Sequence, residues 1–203
     1  MADFTKSKAQ LLDWTLLDDT ATDSPSVETS ALALDEELGA ILNIVVAHAD
    51  TNDASTSYVY ISVQGKVGSN DEDWREIARL QAGGGQATTE ALDAESASGG
   101  TSIKVAATTD WDTGQLERLF LKDGTLVNSE LVTIVGWSDA DYYIAADNLT
   151  NTHAAATDLF DGVDEIPVHI PPEYDSVKVI FSNSHGTATY NVRVDYNVIT
   201  EIA

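Results

Sequence analysis

The sequence predicts an all-β protein: an antiparallel, jelly-roll-like β-sandwich that carries a small inserted β-barrel-like domain. Three observations support this fold class. Apolar and polar residues alternate with a period of two in segments such as YVYISVQ and YNVRVDYNVI. Turn-forming segments such as KDGT separate short runs of this kind. A glycine-rich stretch, QAGGGQATTEALDAESASGG, divides longer strand patterns from more closely spaced ones.

These patterns divide the chain into three predicted parts. Residues 1–29 form an N-terminal arm, residues 30–95 together with 163–203 form a discontinuous sandwich core domain, and residues 96–162 form the inserted domain. The strand patterns before and after the insert are both longer than those within it, so we interpret them as two parts of one sandwich.

The N-terminal arm contains apolar residues set among acids, followed by a polar linker with Pro25. Two interpretations remain open: an edge strand that completes its own sheet, or an arm that docks on a neighbouring subunit. We expect contacts with a neighbouring subunit from its apolar residues. These candidate contact residues are Phe4, Leu11, Leu12, Trp14, Leu16 and Leu17.

The first part of the core domain predicts two clear strands. Residues 41–48 are apolar on both faces, which indicates a central strand covered on both sides. In the next strand Val59, Ile61 and Val63 point inward and Tyr58 and Tyr60 outward. Residues 74–80 form a short strand or a single helical turn.

The insert and the last part of the chain continue the β pattern. Short strands are predicted at 101–105, 118–121, 131–135, 142–145 and 159–160. The prolines in EIPVHIPP assign that segment to a sheet edge. Residues 190–198 alternate between apolar and polar, which predicts a half-exposed antiparallel strand.

Charge and composition exclude several classes of function. Ten basic residues face 34 acidic ones, for a net charge of −24, and such a field repels nucleic acid and anionic lipid. The chain has no cysteine, so disulfides and thiolate chemistry are excluded. It has no apolar run long enough to span a membrane and no secretory signal pattern, so we expect synthesis in the cytoplasm.

The sequence offers no catalytic motif or cofactor motif. The four histidines, His48, His153, His169 and His185, lack metal-ligand spacing, and we interpret them as hydrogen-bonded residues. Ser184, His185 and Asp195 lack the context of an activated nucleophile. The glycines at 83–85 lack the lysine of a phosphate-binding loop and indicate a hinge. We therefore expect a protein that is not an enzyme and that binds no cofactor and no metal.

Acidic clusters and exposed aromatic residues leave alternatives open. None of the acidic clusters matches a calcium-binding loop, and a carboxylate pair for glycoside hydrolysis depends on separations that sequence does not give. Aromatic residues on predicted strands could form a sugar-stacking surface, but their strand positions favour the simpler explanation that they fill the cores and edges of sheets. These residues are Tyr58, Tyr60, Tyr142, Tyr143 and Trp137.

The insert carries a set of motifs that resembles a recurrent β-module of tailed-phage structural proteins. In that module a GxTxIxV strand leads to a strand beginning with glycine. An N-S-E-hydrophobic-V strand and an L-x-N-x-H-A turn follow. The matching residues are Gly100, Thr101, Ile103 and Val105; Gly114; Asn128, Ser129, Glu130 and Val132; and Leu149, Asn151, His153 and Ala154.

The flanking segments ALALDEELGAILNIVVAHADTNDAST and YVYISVQ, with Asp73-Trp74, are similar to phage head proteins of the decoration or cement type. The resemblance implies a non-enzymatic virion protein on the capsid exterior, often trimeric, that binds the major capsid protein and stabilises the shell. The alternatives are a neck or tail component and a carbohydrate-binding module displayed on a virion.

Overall fold

The structure, a computed structural model, describes residues 4–17, 26–34, 37–48, 58–68, 73–83, 89–105, 117–138, 142–183 and 189–201. The described residues form fifteen strands and one short 3-10 helix, Leu126–Asn128. Every strand pairing is antiparallel. The predicted all-β fold class is therefore confirmed. Within the described residues, no helix is long and apolar enough to cross a membrane.

Two sheets form the sandwich. Sheet A has the strand order β1-β15-β4-β13, and sheet B has the order β2-β14-β5-β6, with β3 beside β2 on β14. The bounds of these strands are β1 Phe4–Leu17, β2 Ser26–Glu28, β3 Leu32–Ala33, β4 Ala40–His48, β5 Val59–Lys66, β6 Trp74–Ala82, β13 Val163–Ile170, β14 Ser176–Asn183 and β15 Tyr190–Glu201.

The order of these strands is that of a jelly roll. If β2 and β3 are counted as one strand, the sandwich has eight strands along the described chain. The first pairs with the eighth (β1 with β15), the second with the seventh (β2 with β14), the third with the sixth (β4 with β13) and the fourth with the fifth (β5 with β6). The pairs alternate between the two sheets, which is the double Greek key of the jelly roll. One continuous core lies between the sheets. Its most deeply buried members include Leu42, Ile44, Val46, Ile61, Val63, Val179 and Phe181.

The insert forms a third sheet of six strands. Their bounds are β7 Thr89–Ala91, β8 Ser102–Lys104, β9 Glu117–Lys122, β10 Glu130–Ser138, β11 Tyr142–Ala145 and β12 Asp158–Phe160. The order is β7-β12-β9-β10-β11-β8. An antiparallel bridge between Leu92 and Val105 joins the two ends, so the sheet curls into a small barrel around its own apolar core.

Strand pairing places two segments differently from the predicted parts. Residues 4–17, predicted as an arm, pair with β15 as an edge strand of sheet A, which is the first of the two interpretations given above. Thr89–Ala91, predicted within the core domain, pairs with β12 of the inserted sheet.

Individual strands follow the predicted alternation with one exception. β4 is central and buried on both faces, β13 lies at a sheet edge, and residues 74–82 form a strand rather than a helical turn. The prediction that residues 190–198 are half-exposed is wrong. β15 lies between β1 and β4, and its polar residues Asn191 and Asp195 are buried at 0% and 6% exposure.

Candidate functional site

The candidate contact residues of the N-terminus lie along β1 in several environments. Leu17 and Trp14 are buried within their own chain, at 0% and 5% exposure, and Leu11 and Leu12 are half-buried against the sandwich core. Leu16 is 40% exposed. The backbone of Phe4 pairs with Glu201, and its side chain lies outside the described part of the chain. Of the described side chains in this set, Leu16 is the most accessible.

The β1 strand is also an edge. It pairs with β15 on one side, and among the described residues no strand pairs with its other side. Its register shifts twice, between Gln10 and Leu12 and between Leu12 and Thr15. Such irregularities interrupt the row of free backbone groups that would otherwise recruit further strands.

The insert packs on the outer face of sheet A through an apolar junction. Trp14 of β1 and Phe120 of β9 have ring centroids 4.5 Å apart. Val45 and Ala47 of β4 and Phe160 of β12 complete this buried cluster. The junction explains why β15 is not half-exposed, because the insert covers part of the face that the alternation assigns to solvent.

A charged rim borders this junction. Arg118 of β9 donates to Glu165 of β13, with Nη2 2.9 Å from Oε1, and thereby joins the insert to the sandwich. Arg193 donates to Asp195 on the same strand at 3.0 and 3.1 Å, and its guanidinium lies 5.7 Å from the centre of the Trp14 ring. A cleft of about 200 Å³ lies between these groups. Its two guanidinium groups already face carboxylates, so the arrangement serves to align the two sheets.

The motif residues of the insert meet at Glu130. Its carboxylate accepts hydrogen bonds from the backbone N–H groups of Thr150 and Asn151 at 2.9 and 3.0 Å. The ring nitrogen Nε2 of His153, a fully buried residue, lies 2.7 Å from Oε1. Asn151 Nδ2 donates to the carbonyl of Asn128 at 3.0 Å. The N-S-E and L-x-N-x-H-A motifs are therefore two halves of one hydrogen-bonded clamp, which fixes the turn at 149–153 against β10.

The environment of Glu130 favours the ionised form of its carboxyl. Burial raises the pKa of this carboxyl, but the hydrogen bonds from His153, Thr150 and Asn151 together outweigh that effect and leave the pKa below its ordinary value. The other ring nitrogen of His153, Nδ1, lies 3.6 Å from Asp123 Oδ2. The cluster is a carboxylate held by donors inside a small domain, and it has a structural role.

The outer face of sheet B differs in composition from the rest of the molecule. Inward positions of β5 and β14 are buried, so the intervening residues, with their neighbours on β2 and β6, point outward. We call this set the B face. It consists of Ser26, Glu28, Tyr60, Ser62, Gln64, Lys66, Trp74, Glu76, Arg79, Gln81, Ser176, Lys178, Ile180 and Ser182.

The B face has an aromatic and charged centre. Tyr60 is 48% exposed beside a hollow of about 450 Å³ that Ile180 and Arg79 also line. Trp74 lies under two ammonium groups: Lys178 Nζ is 4.6 Å and Lys66 Nζ 5.4 Å from its ring centre. The surface therefore combines aromatic rings with cations.

The ion pairs on the B face lie at the surface, with Arg79 and Glu28 exposed and Lys178 half-buried. Glu76 accepts hydrogen bonds from Ser62 at 2.9 Å and from Arg79 at 3.2 Å, and these two bonds lower the pKa of its carboxyl. Lys178 Nζ lies 2.8 Å from Glu28 Oε1. Pairs of this kind contribute little to stability because water screens them. They remain available to an approaching partner.

The other candidate residues do not converge. His48 and His153 are buried and His169 is exposed, while His185 lies outside the described residues. Within the described residues, no group of three or more histidine or acidic side chains is arranged to hold a metal ion. Among the acidic clusters, residues 50, 53, 71, 72, 139 and 141 lie outside the described residues.

The structure separates the aromatic residues of the predicted sugar-stacking surface. Tyr143 is buried in the insert core and Tyr142 lies on the outside of the insert, whereas Tyr60 lies on the B face. The side chain of Trp137 lies outside the described part of the chain. Of these residues, Tyr60 lines the hollow on the B face.

No protein-family model and no curated protein matches this sequence. Among solved structures, a chain in the "Structure of infectious bursal disease virus Gx strain" is similar with a TM-score of 0.28 and 7% identity, over 99% of this chain and 43% of that one. This chain therefore spans less than half the length of that relative. VP17, a capsid protein of bacteriophage P23-77, gives a TM-score of 0.18 and 8% identity over 98% of both chains. A chain in the complex of VP16 and VP17, the two major capsid proteins of that phage, gives a TM-score of 0.19 and 8% identity. The match covers 98% of this chain and 100% of that one. Because these scores are low, the fold assignment rests on the strand pairings described above.

Proposed function

We propose that the protein is a non-enzymatic structural component of a virion, which decorates the capsid exterior and stabilises it by binding the major capsid protein. The observation that carries the proposal is the eight-strand jelly-roll pairing of sheets A and B. Viral capsid domains are a principal user of this fold, and lectin domains are another. Because a fold does not by itself fix a function, further support has to come from the residues.

The insert supplies that second support. Its motifs resemble those of tailed-phage structural modules, and the residues that carry the resemblance build the Glu130 clamp rather than a reactive centre. A module that is packed on the sandwich through the Trp14–Phe120 junction suits a protein whose role is structural. The net charge of −24 suits a surface that stays soluble at high copy number and avoids the packaged nucleic acid.

The mechanism would be linkage between binding and assembly. A protein that binds the assembled shell but not its separate subunits stabilises the shell by mass action. Symmetric association, often as a trimer in the proteins that the chain resembles, would increase the effect because several weak contacts then act together. We assign the edge strand β1, with Leu16 as its exposed apolar residue, as one of the contacting elements.

Co-sedimentation with capsids tests the proposal. Particles from the source virus, stripped of this protein, are mixed with the purified chain and pelleted, and the temperature of capsid disassembly is measured with and without it. We expect saturable binding and a higher disassembly temperature. The proposal fails if the protein is missing from purified particles and does not bind stripped capsids. Cryo-electron microscopy of the particle distinguishes a position on the shell from one in the neck or tail.

A carbohydrate-binding function is the second candidate, and one observation favours it. Tyr60 is 48% exposed beside a hollow of about 450 Å³ lined also by Glu76, Arg79 and Ser182. An aromatic ring next to polar side chains is a suitable surface for a sugar. Glycan-array binding that disappears in Tyr60→Ala would support this function over the first.

A further inference from the structure

We propose that the B face is a contact surface between two copies of this chain, which meet across a two-fold axis. Such a contact would go beyond capsid binding, and it can be tested without a capsid. The distribution of charge, the exposed aromatic and apolar side chains and the complementarity of the ion pairs support it.

The B face is the exception in an acidic molecule. It carries three basic residues, Lys66, Arg79 and Lys178, and two acidic residues, Glu28 and Glu76, for a local net charge of 3 − 2 = +1. The whole chain carries −24, so all other residues together carry −25. Two copies can therefore approach through this face without bringing dense acidic surfaces together.

Because salt screens distant charges, the charge near the contact determines whether two copies attract or repel each other. At physiological ionic strength the Debye length is about 8 Å, so charges on the far sides of two docked copies are largely screened from each other. The charges within and next to the contact are close enough to interact. A face with both signs is also self-complementary, because in a two-fold contact Arg79 of one copy can approach Glu76 or Glu28 of the other.

The apolar side chains of the face supply the attraction. Tyr60 at 48% exposure and the half-buried Ile180 lie around the central hollow, with Trp74 at one side. Tyrosine, tryptophan and arginine are the residues most enriched where protein interfaces concentrate their binding energy. Burying this centre would remove exposed apolar surface that the sandwich leaves uncovered.

The area of the face indicates the expected affinity of the dimer. Strands β5 and β14 have eight residues, β6 has nine, and β2 and β3 have three and two. With strands about 4.8 Å apart and residues about 3.3 Å apart along each strand, the face covers about 475 Å² per copy, or about 950 Å² for the pair. An area just under about 1,000 Å² is typical of weak, transient contacts. We therefore expect a dimer that forms in the micromolar to sub-millimolar range.

Analytical ultracentrifugation of the full chain tests the inference with matched variants. Tyr60→Ala and Arg79→Glu change the B face, and Arg79→Glu reverses its local charge to 2 − 3 = −1. Tyr142→Ala makes the same truncation, and Lys104→Glu the same change of charge, on the outside of the insert, where Tyr142 is 36% exposed. We expect each B-face variant to weaken dimerisation at least tenfold and each insert variant to leave it unchanged. Circular dichroism checks that all four remain folded.

Salt dependence gives an independent readout. For the face-to-face dimer we expect association to weaken at low ionic strength, because a longer Debye length brings the remaining charge of −25 per copy into play. A basic face docked on the acidic surface of another copy would instead bind more tightly at low salt, and that result overturns the two-fold contact. A wild-type chain that is monomeric throughout the concentration range also overturns it, as does dimerisation that only Tyr142→Ala disrupts. None of these results bears on capsid binding, which the pelleting experiment measures separately.

Discussion

His153 Nε2 lies 2.7 Å from Glu130 Oε1, inside a turn whose backbone N–H groups at Thr150 and Asn151 point at the same carboxylate. An ionised carboxylate can only accept hydrogen bonds, so it satisfies all three donors at once. The fully buried His153 and the half-buried Glu130 thus hold the end of the insert together. Stability of the inserted domain should depend on the charge of one side chain.

The first prediction concerns Glu130→Gln. An amide in this position has one acceptor oxygen and turns an NH₂ group toward a donor, so at least one backbone N–H loses its partner. We expect a loss of about 1–3 kcal/mol in the free energy of unfolding, measured by denaturant titration at neutral pH. Glu173→Gln, at an exposed position, is the control with the same change of charge. Equal stability of the two variants would contradict the structural role of the clamp.

The second prediction is the pH dependence of the same clamp. The pKa of Glu130 in the folded protein lies below its ordinary value of 4.5. A carboxyl with a lowered pKa contributes stability that is complete above the ordinary value and is lost as the pH falls through the folded pKa. We expect the difference in stability between wild type and Glu130→Gln to shrink as the pH falls below 4.5. Denaturant titrations at a series of pH values measure this difference, and a gap that widens at low pH would contradict the prediction.

The third prediction compares two glycines with positive φ. Gly39 has a φ of +114° and Gly68 a φ of +86°, so alanine is strained at both positions. A Cβ on Gly68 meets nothing within 4 Å, whereas a Cβ on Gly39 collides with the backbone carbonyl of Ile170. We expect Gly68→Ala to lose about 1 kcal/mol of stability from backbone strain alone.

Gly39→Ala should lose clearly more, because a backbone carbonyl in β13 cannot rotate away as a side chain can. Thermal unfolding of both variants checks the order. Similar melting temperatures for the two would show that the chain entering β4 adjusts at little cost, contrary to the expectation.

Features of this molecule that depend on one strand can be predicted from the sequence, and features that depend on contacts between distant segments cannot. The inward positions Val59, Ile61 and Val63 follow from a period of two, which is a property of one strand. The pairing of β1 with β15 joins opposite ends of the chain, and no local pattern specifies it. The alternation predicts that Asn191 and Asp195 face solvent, whereas both are buried. Nothing near them in sequence indicates that the insert covers this face.

The Glu130 clamp was only half predictable. Resemblance marked Asn128, Glu130, Asn151 and His153 as motif residues, but the hydrogen bonds that explain the motif need the three-dimensional turn. The B face was harder still. Its basic residues come from three strands, so the local excess of positive charge exists only after β5, β6 and β14 have paired.

The fourth prediction concerns the junction between insert and sandwich. Trp14→Ala removes a ring that is 5% exposed and lies against Phe120. We expect a loss of about 3–5 kcal/mol, the usual cost of truncating a large buried aromatic side chain. Trp14→Phe keeps most of the contact and should lose much less. Because this junction couples two separate cores, we also expect calorimetry of Trp14→Ala to resolve two unfolding transitions, and a single sharp transition would contradict that coupling.

The last prediction separates folding from docking on β1. Deleting residues 1–24 removes an entire strand of sheet A, together with the buried Leu17 and Trp14, so we expect marked destabilisation as well as any loss of capsid binding. Leu16→Asp is the sharper variant because this side chain is 40% exposed. We expect Leu16→Asp to keep wild-type stability and to bind stripped capsids more weakly, since it places a charge on an apolar contact. Leu17→Asp, one residue further on, should unfold the sandwich. Unchanged capsid binding by Leu16→Asp would remove β1 from the docking surface, because the folded state would be intact and only the exposed position altered.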